Sequence, residues 1–459
     1  MINLKNFVEK NNDESLGKVR SVKRVSTDTR TIQEGDLFLA LSGENFDGNK
    51  FINAAIDKGA SGCVYRKSDG FDSSELYTKY PEVFFIGVDN TEKYLQDLAK
   101  YHQKSWREKV KNSVTIGITG SNGKTTTKEL LAAISESIFP NEVLYTKGNL
   151  NNHLGVPMTM LRLEDTHRIC ILEMGTNHPG EISFLCNLGD PNAGIITTVG
   201  QSHLEFFNTE ENVFKEKRAL FDFVNKKKGC FSYDGDNRHL KALPVDNITA
   251  SVGFEFGNTK AELSGRNIKL KGKVDLNLNA PYLFGIHNFK NLALSAALLA
   301  QLFPEKISEI ESSCLELKLP NNNRSELIER DGKTIFLDAY NANPSSMIAS
   351  LETFVTFLKE NSKELSKSMF ILGDMNELGS KSPEYHEEIG KLLKTMNIDN
   401  VIFIGRFSEF YNKGYSASGK CYASVDEFSH DWTNCYKQYS NFFLKGSRTL
   451  QLETLVALN

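Results

Sequence analysis

The run Thr119-Gly-Ser-Asn-Gly-Lys-Thr-Thr126 holds the residues of this chain best suited to chemistry. Gly120 and Gly123 allow successive backbone N–H groups to curl around anionic oxygens, and a helix starting here would add the positive end of its dipole. Lys124 would then reach terminal phosphates and the Thr125 hydroxyl would ligate Mg2+. The strict eight-residue phosphate-loop pattern asks for glycine five positions before Gly123, where this chain has Ile118, so the match is shortened. A glycine-rich turn with a chance Gly-Lys-Thr is the plainer reading, and the flanking sequence weighs against it.

Those flanks must position the loop. Val114-Thr-Ile-Gly-Ile118 is a short, β-branched apolar run of the kind that forms a buried parallel strand. Leu130, Leu131, Ile134 and Ile138 recur at helical spacing beyond it. Ligands of parallel α/β sheets gather at the carboxyl ends of strands, so polar residues ending apolar runs gain weight. Ile169-Cys-Ile-Leu-Glu173 places Glu173 at such an end, as a second ligand for the ion on Thr125. Ile195-Ile-Thr-Thr-Val199 leads into Ser202-His203-Leu-Glu205 and offers His203, although a histidine after a strand is as often a surface or capping residue.

Lys217 stands out geometrically. On a helical wheel, Asn212–Val224 gathers Val213, Phe214, Leu220, Phe221 and Val224 on one face with Lys217 near its centre, while Lys215 and Arg218 lie off it. A bare ammonium is costly to bury there. It either snorkels or pairs with an acid, or it is modified or set beside an active site; the pattern alone leaves both open.

The 459 residues predict about three domains. A net charge of -4 argues against an extended nucleic-acid surface while permitting a local anion pocket. Cys63, Cys170, Cys186, Cys230, Cys314, Cys421 and Cys435 form no CxxC pair, which suggests neither a disulfide framework nor a zinc site. No signal peptide is read in Met-Ile-Asn-Leu-Lys-Asn, and no apolar run approaches membrane-spanning length, so a cytoplasmic protein without membrane insertion is expected.

The predicted fold class is α/β in three domains. Residues 1–110, with strand candidate Asp36–Leu41 and a helix near Phe51–Lys58, read as a smaller N-terminal α/β substrate domain. Residues 111–318 alternate strands (114–118, 169–173, 194–198) with helices as a central parallel-sheet ATP-binding domain. A Lys- and Gly-rich stretch at 226–285 reads as a β-rich insertion, and a helix at Asn288–Leu302 closes the zone. After the linker Pro320-Asn-Asn-Asn323, strands 334–338, 369–373 and 401–405 predict a C-terminal Rossmann-like domain over 319–459.

Taken in order, these residues resemble the Mur ligase family, the ATP-dependent amide-forming enzymes of peptidoglycan precursor synthesis. The resemblance rests on the Thr119–Thr126 loop, Glu173, Ser202-His203-Leu-Glu205, Lys217, Gly285-Ile-His-Asn288 with Asn291, Arg324, and Lys445-Gly-Ser-Arg448. Gly148–Pro157, Glu173–Glu181, Asp338–Pro344 and Leu372–Gly379 resemble the branch that adds D-alanyl-D-alanine to a UDP-N-acetylmuramoyl-tripeptide. A sister ligase or a folylpolyglutamate synthetase with another amine, or a non-catalytic nucleotide-binding scaffold, are the alternatives.

The resemblance implies site roles. Gly120, Ser121, Asn122, Gly123, Lys124, Thr125 and Thr126 would cradle the ATP phosphates, Asn288 and Asn291 would flank adenine, and Arg324 and Asp338 would contact phosphate and ribose. Lys124, His203 and Lys217 would be catalytic; Thr125, Glu173, His203 and a carbamylated Lys217 would hold Mg2+. Ser26, Asp28, Thr29 and Arg30, with Gly43, Asp47 and Gly48, resemble UDP-sugar-binding segments. Asn149, Asn151 and Asn152 would meet the peptide, and Asn341 and Asn343 the dipeptide. The implied cofactors are ATP, Mg2+ and the lysine carbamate, and a monomer is expected. The chain departs from the family at Asn321-Asn-Asn-Arg324, where a glycine-containing turn is usual, and at Ser202, where some sister enzymes carry an acid.

Overall fold

In the computed structural model, all residues are described except Glu44, Asn45, Ser68–Gly70, Val245, Asn247, Asn321, Asn322, Ala417 and Asn459. Parts of the Leu41–Gly48 segment and of the Asn321–Arg324 turn thus lie outside the described residues.

Besides the two-stranded ribbon of Ser42–Gly43 and Phe46–Asp47, three larger sheets succeed one another along the chain. The first orders its strands Glu14–Leu16, Phe84–Val88, Gly62–Arg66, Leu37–Leu39, Val25–Ser26, all parallel except the first pair. The long helix Thr91–Lys109 leaves this sheet and docks on the next. Its buried face makes the joint: Gln103 Nε2 donates to the Gly189 carbonyl at 2.7 Å and Trp106 Nε1 to that of His167 at 2.8 Å. One apolar cluster accordingly runs without a break from Ile2 through Leu98 to Leu243.

The second sheet has nine strands, in the order Leu276–Asn279, Asn267–Gly272, Thr259–Ser264, Thr249–Gly253, Cys230–Asp234, Ala193–Ile196, Val114–Thr119, Ile169–Glu173, Val143–Tyr145. Val114–Thr119 is buried at every position, as a central parallel strand covered on both faces requires. The 226–285 stretch is not an insertion. Cys230–Asp234 and Thr249–Gly253 pair in parallel with the central strands, and only the last two strands turn antiparallel, so the stretch is the outer half of this same sheet. Its edge strands alternate buried and exposed residues because one face meets water, which hides their continuity with the fully buried centre. The strand expected at 194–198 ends at Ile196, where Thr197 turns into the loop facing the phosphate run.

The third sheet runs Glu326–Arg330, Lys333–Asp338, Asn441–Lys445, Ser368–Gly373, Val401–Ile404, Lys420–Tyr422, parallel except for its first strand. Separate apolar cores cover its two faces, the doubly wound arrangement. On one face the Phe354 ring lies 5.7 Å from Phe336, 5.6 Å from Phe370 and 5.8 Å from Phe443, on three neighbouring strands. No helix among the described residues is long and apolar enough to cross a membrane.

Phe354 is fully buried, so Phe354→Ala should remove ~3–5 kcal/mol from the third sheet's domain. Urea denaturation followed by amide exchange should show faster exchange in Ser368–Gly373 and unchanged protection in Val114–Thr119.

Candidate active site

Four parallel strands of the second sheet end side by side, and their tips build the site. Between Val114–Thr119 and the helix Lys124–Ile138, the loop is pressed against its neighbours so closely that side chains would not fit at two positions. Gly120 has φ +153, and a Cβ there would sit 1.9 Å from Thr197 Oγ1; Gly123 has φ +81, with Asn291 Oδ1 2.8 Å from the same construction. The Ser121 N–H donates to the Thr198 carbonyl at 2.8 Å, and Ser202 Oγ donates to Ser121 Oγ at 2.8 Å. The loop is thereby fixed with the helix N-terminus open to the cavity. Lys124 Nζ donates to the Gly120 carbonyl at 2.7 Å. Burial lowers the Lys124 pKa and Arg324 adds to this, against the opposing charges of Glu173 and Glu377.

Glu173 arrives on the adjacent strand, two per cent exposed. Its Oε1 accepts from Thr125 Oγ1 at 3.1 Å and from Asn151 Nδ2 at 2.9 Å. Its Oε2 is buried without a hydrogen-bond partner among the described residues. A buried carboxylate oxygen left over beside a hydroxyl and a phosphate-binding helix end is the donor set of a hard divalent cation, so Thr125 and Glu173 fit Mg2+. Among the described residues, no group of three or more His, Cys, Asp or Glu could hold a metal alone, which leaves phosphate oxygens to complete such a shell.

His203 begins the short helix Leu204–Phe207 with φ 52, and its Nδ1 lies 2.8 Å from Glu377 Oε2 of the third sheet's domain. That imidazole, ahead of an opposing burial effect, holds the Glu377 carboxyl below the usual range. Lys217 sits on the helix Glu210–Lys226, one per cent exposed, with no ion pair or hydrogen bond among the described residues. Burial drives its pKa well below the ordinary 10.5, and the Lys124 charge adds to this against a weaker pull from Glu216. The adjacent acid does not neutralise it by contact. Glu216 instead accepts from the backbone N–H groups of Gly180 and Ile182, both at 2.7 Å, capping the helix Glu181–Gly189.

The opposite wall comes from the third sheet. Asp338 ends its strand and accepts from Lys445 Nζ at 2.6 Å and Ser350 Oγ at 2.5 Å. Burial alone would raise its pKa, but Lys445 outweighs this and holds it down. The Arg324 guanidinium lies 3.7 Å over the Tyr340 ring. Asn343 caps the helix Pro344–Glu360 and exchanges hydrogen bonds with Asn122 of the phosphate loop, at 2.7 and 3.2 Å. Asn288 Nδ2 donates to the Phe284 carbonyl at 2.7 Å.

The walls enclose a cavity of about 1060 Å³. It is lined by Ser121–Thr126, Asn149, Asn151, Asn152, Glu173, His203, Asn288, Asn291, Arg324, Asp338 and Asn341. Gly120, Lys217 and Asn343 lie outside that lining, as do Ser26, Asp28, Thr29, Arg30, Gly43, Asp47 and Gly48, which stay on the first sheet's domain. Sequence reasoning missed Asp234 and Asp236, which end the strand Cys230–Asp234 and grip Lys290 at 3.7 and 3.0 Å. The end-of-strand rule that singled out Glu173 finds them too. Glu377, which lies behind the lining and meets His203 from another domain, carries no such signal.

Lys217→Met should stabilise the protein in carbon dioxide-depleted buffer by ~1–3 kcal/mol, because an unpartnered buried amine gives way to thioether packing. With its folded pKa lowered from 10.5, the wild-type lysine must shed a proton on folding, a penalty that grows as pH falls below that value. The Met advantage should therefore shrink as pH rises from 6 to 9 in thermal unfolding.

Comparison with known proteins places this geometry. Residues 118–299 match the Mur ligase middle domain, 323–438 the Mur ligase glutamate ligase domain and 21–103 the Mur ligase family catalytic domain. The UDP-N-acetylmuramoyl-tripeptide–D-alanyl-D-alanine ligase of Bacillus subtilis is 32% identical, covering 94% of this chain and 92% of that protein. Among solved structures, MurF from Acinetobacter baumannii superposes with TM-score 0.84 at 26% identity, covering 99% of this chain and 97% of that one. MurF ligase from Thermotoga maritima in complex with ADP gives 0.77 at 25%, covering 95% and 97%. With all three domains matched in order and over nearly its whole length, the chain belongs to the Mur ligase family.

Proposed function

We propose that this chain is the ATP-dependent ligase that joins D-alanyl-D-alanine to UDP-N-acetylmuramoyl-tripeptide, a cytoplasmic step of bacterial cell-wall precursor synthesis, acting as a monomer. The observation that carries the reading is the convergence of the phosphate loop, the orphaned Glu173 oxygen and Asn341 on one cavity between two domains.

The γ-phosphoryl group of ATP passes to the terminal carboxylate of the tripeptide, giving an acyl phosphate and ADP. The neutral dipeptide amine then attacks the acyl carbon; the C–N bond forms as the C–O bond to phosphate breaks, and the proton lost from nitrogen leaves with the phosphate. No side-chain nucleophile is required. The N–H groups of residues 122–126 and the Lys124 ammonium bind the phosphates, and their fixed orientation stabilises charge that grows in the transition state. Thr125 and Glu173 would hold Mg2+, which when bound neutralises phosphate charge. Asp338, kept anionic by Lys445, accepts from ribose hydroxyls, Asn288 and Asn291 bound the adenine, and Arg324 meets phosphate. Ser26–Arg30 and Leu41–Gly48 take the UDP-sugar, and Asn149, Asn151 and Asn152 the peptide. The third domain, held to the phosphate loop through Asn122 and Asn343, shields the acyl phosphate from water.

Lys217 fits carbamylation. Its lowered pKa favours the neutral amine, which attacks carbon dioxide, forms an N–C bond and releases a proton. The product is an anionic oxygen donor that, with His203 and Glu173, would hold a second Mg2+. It also replaces the unpaired amine on the apolar face.

Among amino-acid and peptide acceptors, ADP release from ATP and UDP-tripeptide should require D-alanyl-D-alanine; turnover supported by a single amino acid in place of the dipeptide would overturn the assignment. Lys217→Ala should lower ligation by on the order of 100-fold or more, and the native protein's mass should exceed that of Lys217→Ala by more than the side-chain difference, by one carbon dioxide. Near-normal ligation by the variant would remove the role assigned to this lysine.

A further inference from the structure

An incoming dipeptide presents an ammonium at neutral pH, and a site that selects it needs an ionised carboxylate free to face it. Most carboxylates on the cavity wall are already engaged. Glu181 accepts from the backbone N–H groups of Asn177 and His178, and Glu210 is paired with Arg238 and His239. Asp234 and Asp236 hold Lys290, and Asp338 holds Lys445. The remaining oxygen of Glu173 lies beside Thr125, where the phosphates bind.

Glu377 differs. Its side chain is 44% exposed, and its one side-chain partner among the described residues is His203. The backbone beneath it is held at every residue. The Asp374 carboxylate accepts from the Arg406 and Phe407 N–H groups at 2.8 and 2.9 Å, and the Met375 N–H donates to His386 Nε2 at 3.0 Å. The Asn376 N–H donates to Ser447 Oγ at 2.9 Å. Glu377 itself has φ 66, a region that residues with side chains avoid, and its carbonyl accepts from the Glu205 N–H across the domain boundary at 3.2 Å. Strain of this kind persists where surrounding structure over-determines it, and it points a side chain where relaxed backbone would not. Here it points a carboxylate from the third domain at His203, a residue of the cavity lining that Glu377 itself does not join.

Resting on the ligase reading above, we propose that Glu377 receives the N-terminal ammonium of the acceptor dipeptide and so sets the enzyme's requirement for a charged amine. The role is one of binding: the ammonium gives one proton to solvent before its nitrogen attacks the acyl carbon, and no bond is made or broken at Glu377. His203 is its partner in the structure without the dipeptide.

The test compares wild type, Glu377→Gln and Glu377→Asp in the full chain with ATP, Mg2+ and UDP-tripeptide, using two nucleophiles: D-alanyl-D-alanine and hydroxylamine, which is small and uncharged at neutral pH. For Glu377→Gln, kcat/KM for the dipeptide should fall on the order of 100-fold, chiefly through KM. Hydroxamate formation should stay at the wild-type rate, and Glu377→Asp should recover part of the loss. Equal losses with both nucleophiles would make Glu377 a closure or folding contact and overturn the inference, as would unchanged dipeptide kinetics. Wild-type protein that joins neither nucleophile to the UDP-tripeptide would overturn the ligase reading and the inference with it, whereas normal wild-type ligation with an indifferent Glu377→Gln would overturn the inference alone.

Discussion

The parallel pairing of Val114–Thr119 with Ile169–Glu173 is the constraint on which the site depends. Its register sets Glu173 opposite Ile118, one residue before the chain leaves the sheet for the phosphate loop. Because neighbouring parallel strands lie about 4.8 Å apart, the carboxylate and the Thr125 hydroxyl meet without any long side chain having to be ordered. A slip of Ile169–Glu173 by one residue would turn Glu173 to the other face of the sheet, away from the phosphate loop. The buried, β-branched composition of both strands makes that slip costly, so the apolar core and the polar site are specified together.

Built on that pair, the rest of the site consists of groups that are individually awkward. Gly120 and Gly123 take conformations that side chains resist, His203 and Glu377 stand at positive φ, and Lys217 has no partner on an apolar face. Such departures are sustained by packing elsewhere: the continuous first core, the all-buried central strands and the aromatic stack of the third sheet. Stability and chemistry are thus divided between different parts of the same molecule.

Sequence reading reached what local pattern determines. The phosphate loop, the strand that brings Glu173 and the burial of Lys217 all follow from periods of two and 3.6 residues. What pattern cannot express is pairing between distant segments. The outer strands of the second sheet read as an insertion because half-exposed edges look unlike a buried centre. The pairs Asn122–Asn343 and His203–Glu377 bridge 221 residues and two domains respectively, and nothing local to either partner announces the other. Glu216 looks like the natural counter-ion of Lys217 from its neighbouring position, yet successive residues on a helix point about 100° apart, and it is spent on a helix cap instead.

The helix Thr91–Lys109 carries one more implication. Gln103 and Trp106 clamp it to backbone carbonyls of the second sheet's domain, and the apolar core runs through the joint. The first two domains therefore act as one body, with a set span between the first sheet's loops and Lys124. With the UDP-sugar on those loops as proposed, this body is a ruler. A peptide one residue too short or too long would leave its carboxylate away from the phosphate loop however well either end bound, so chain length is read by the scaffold before any side chain is consulted.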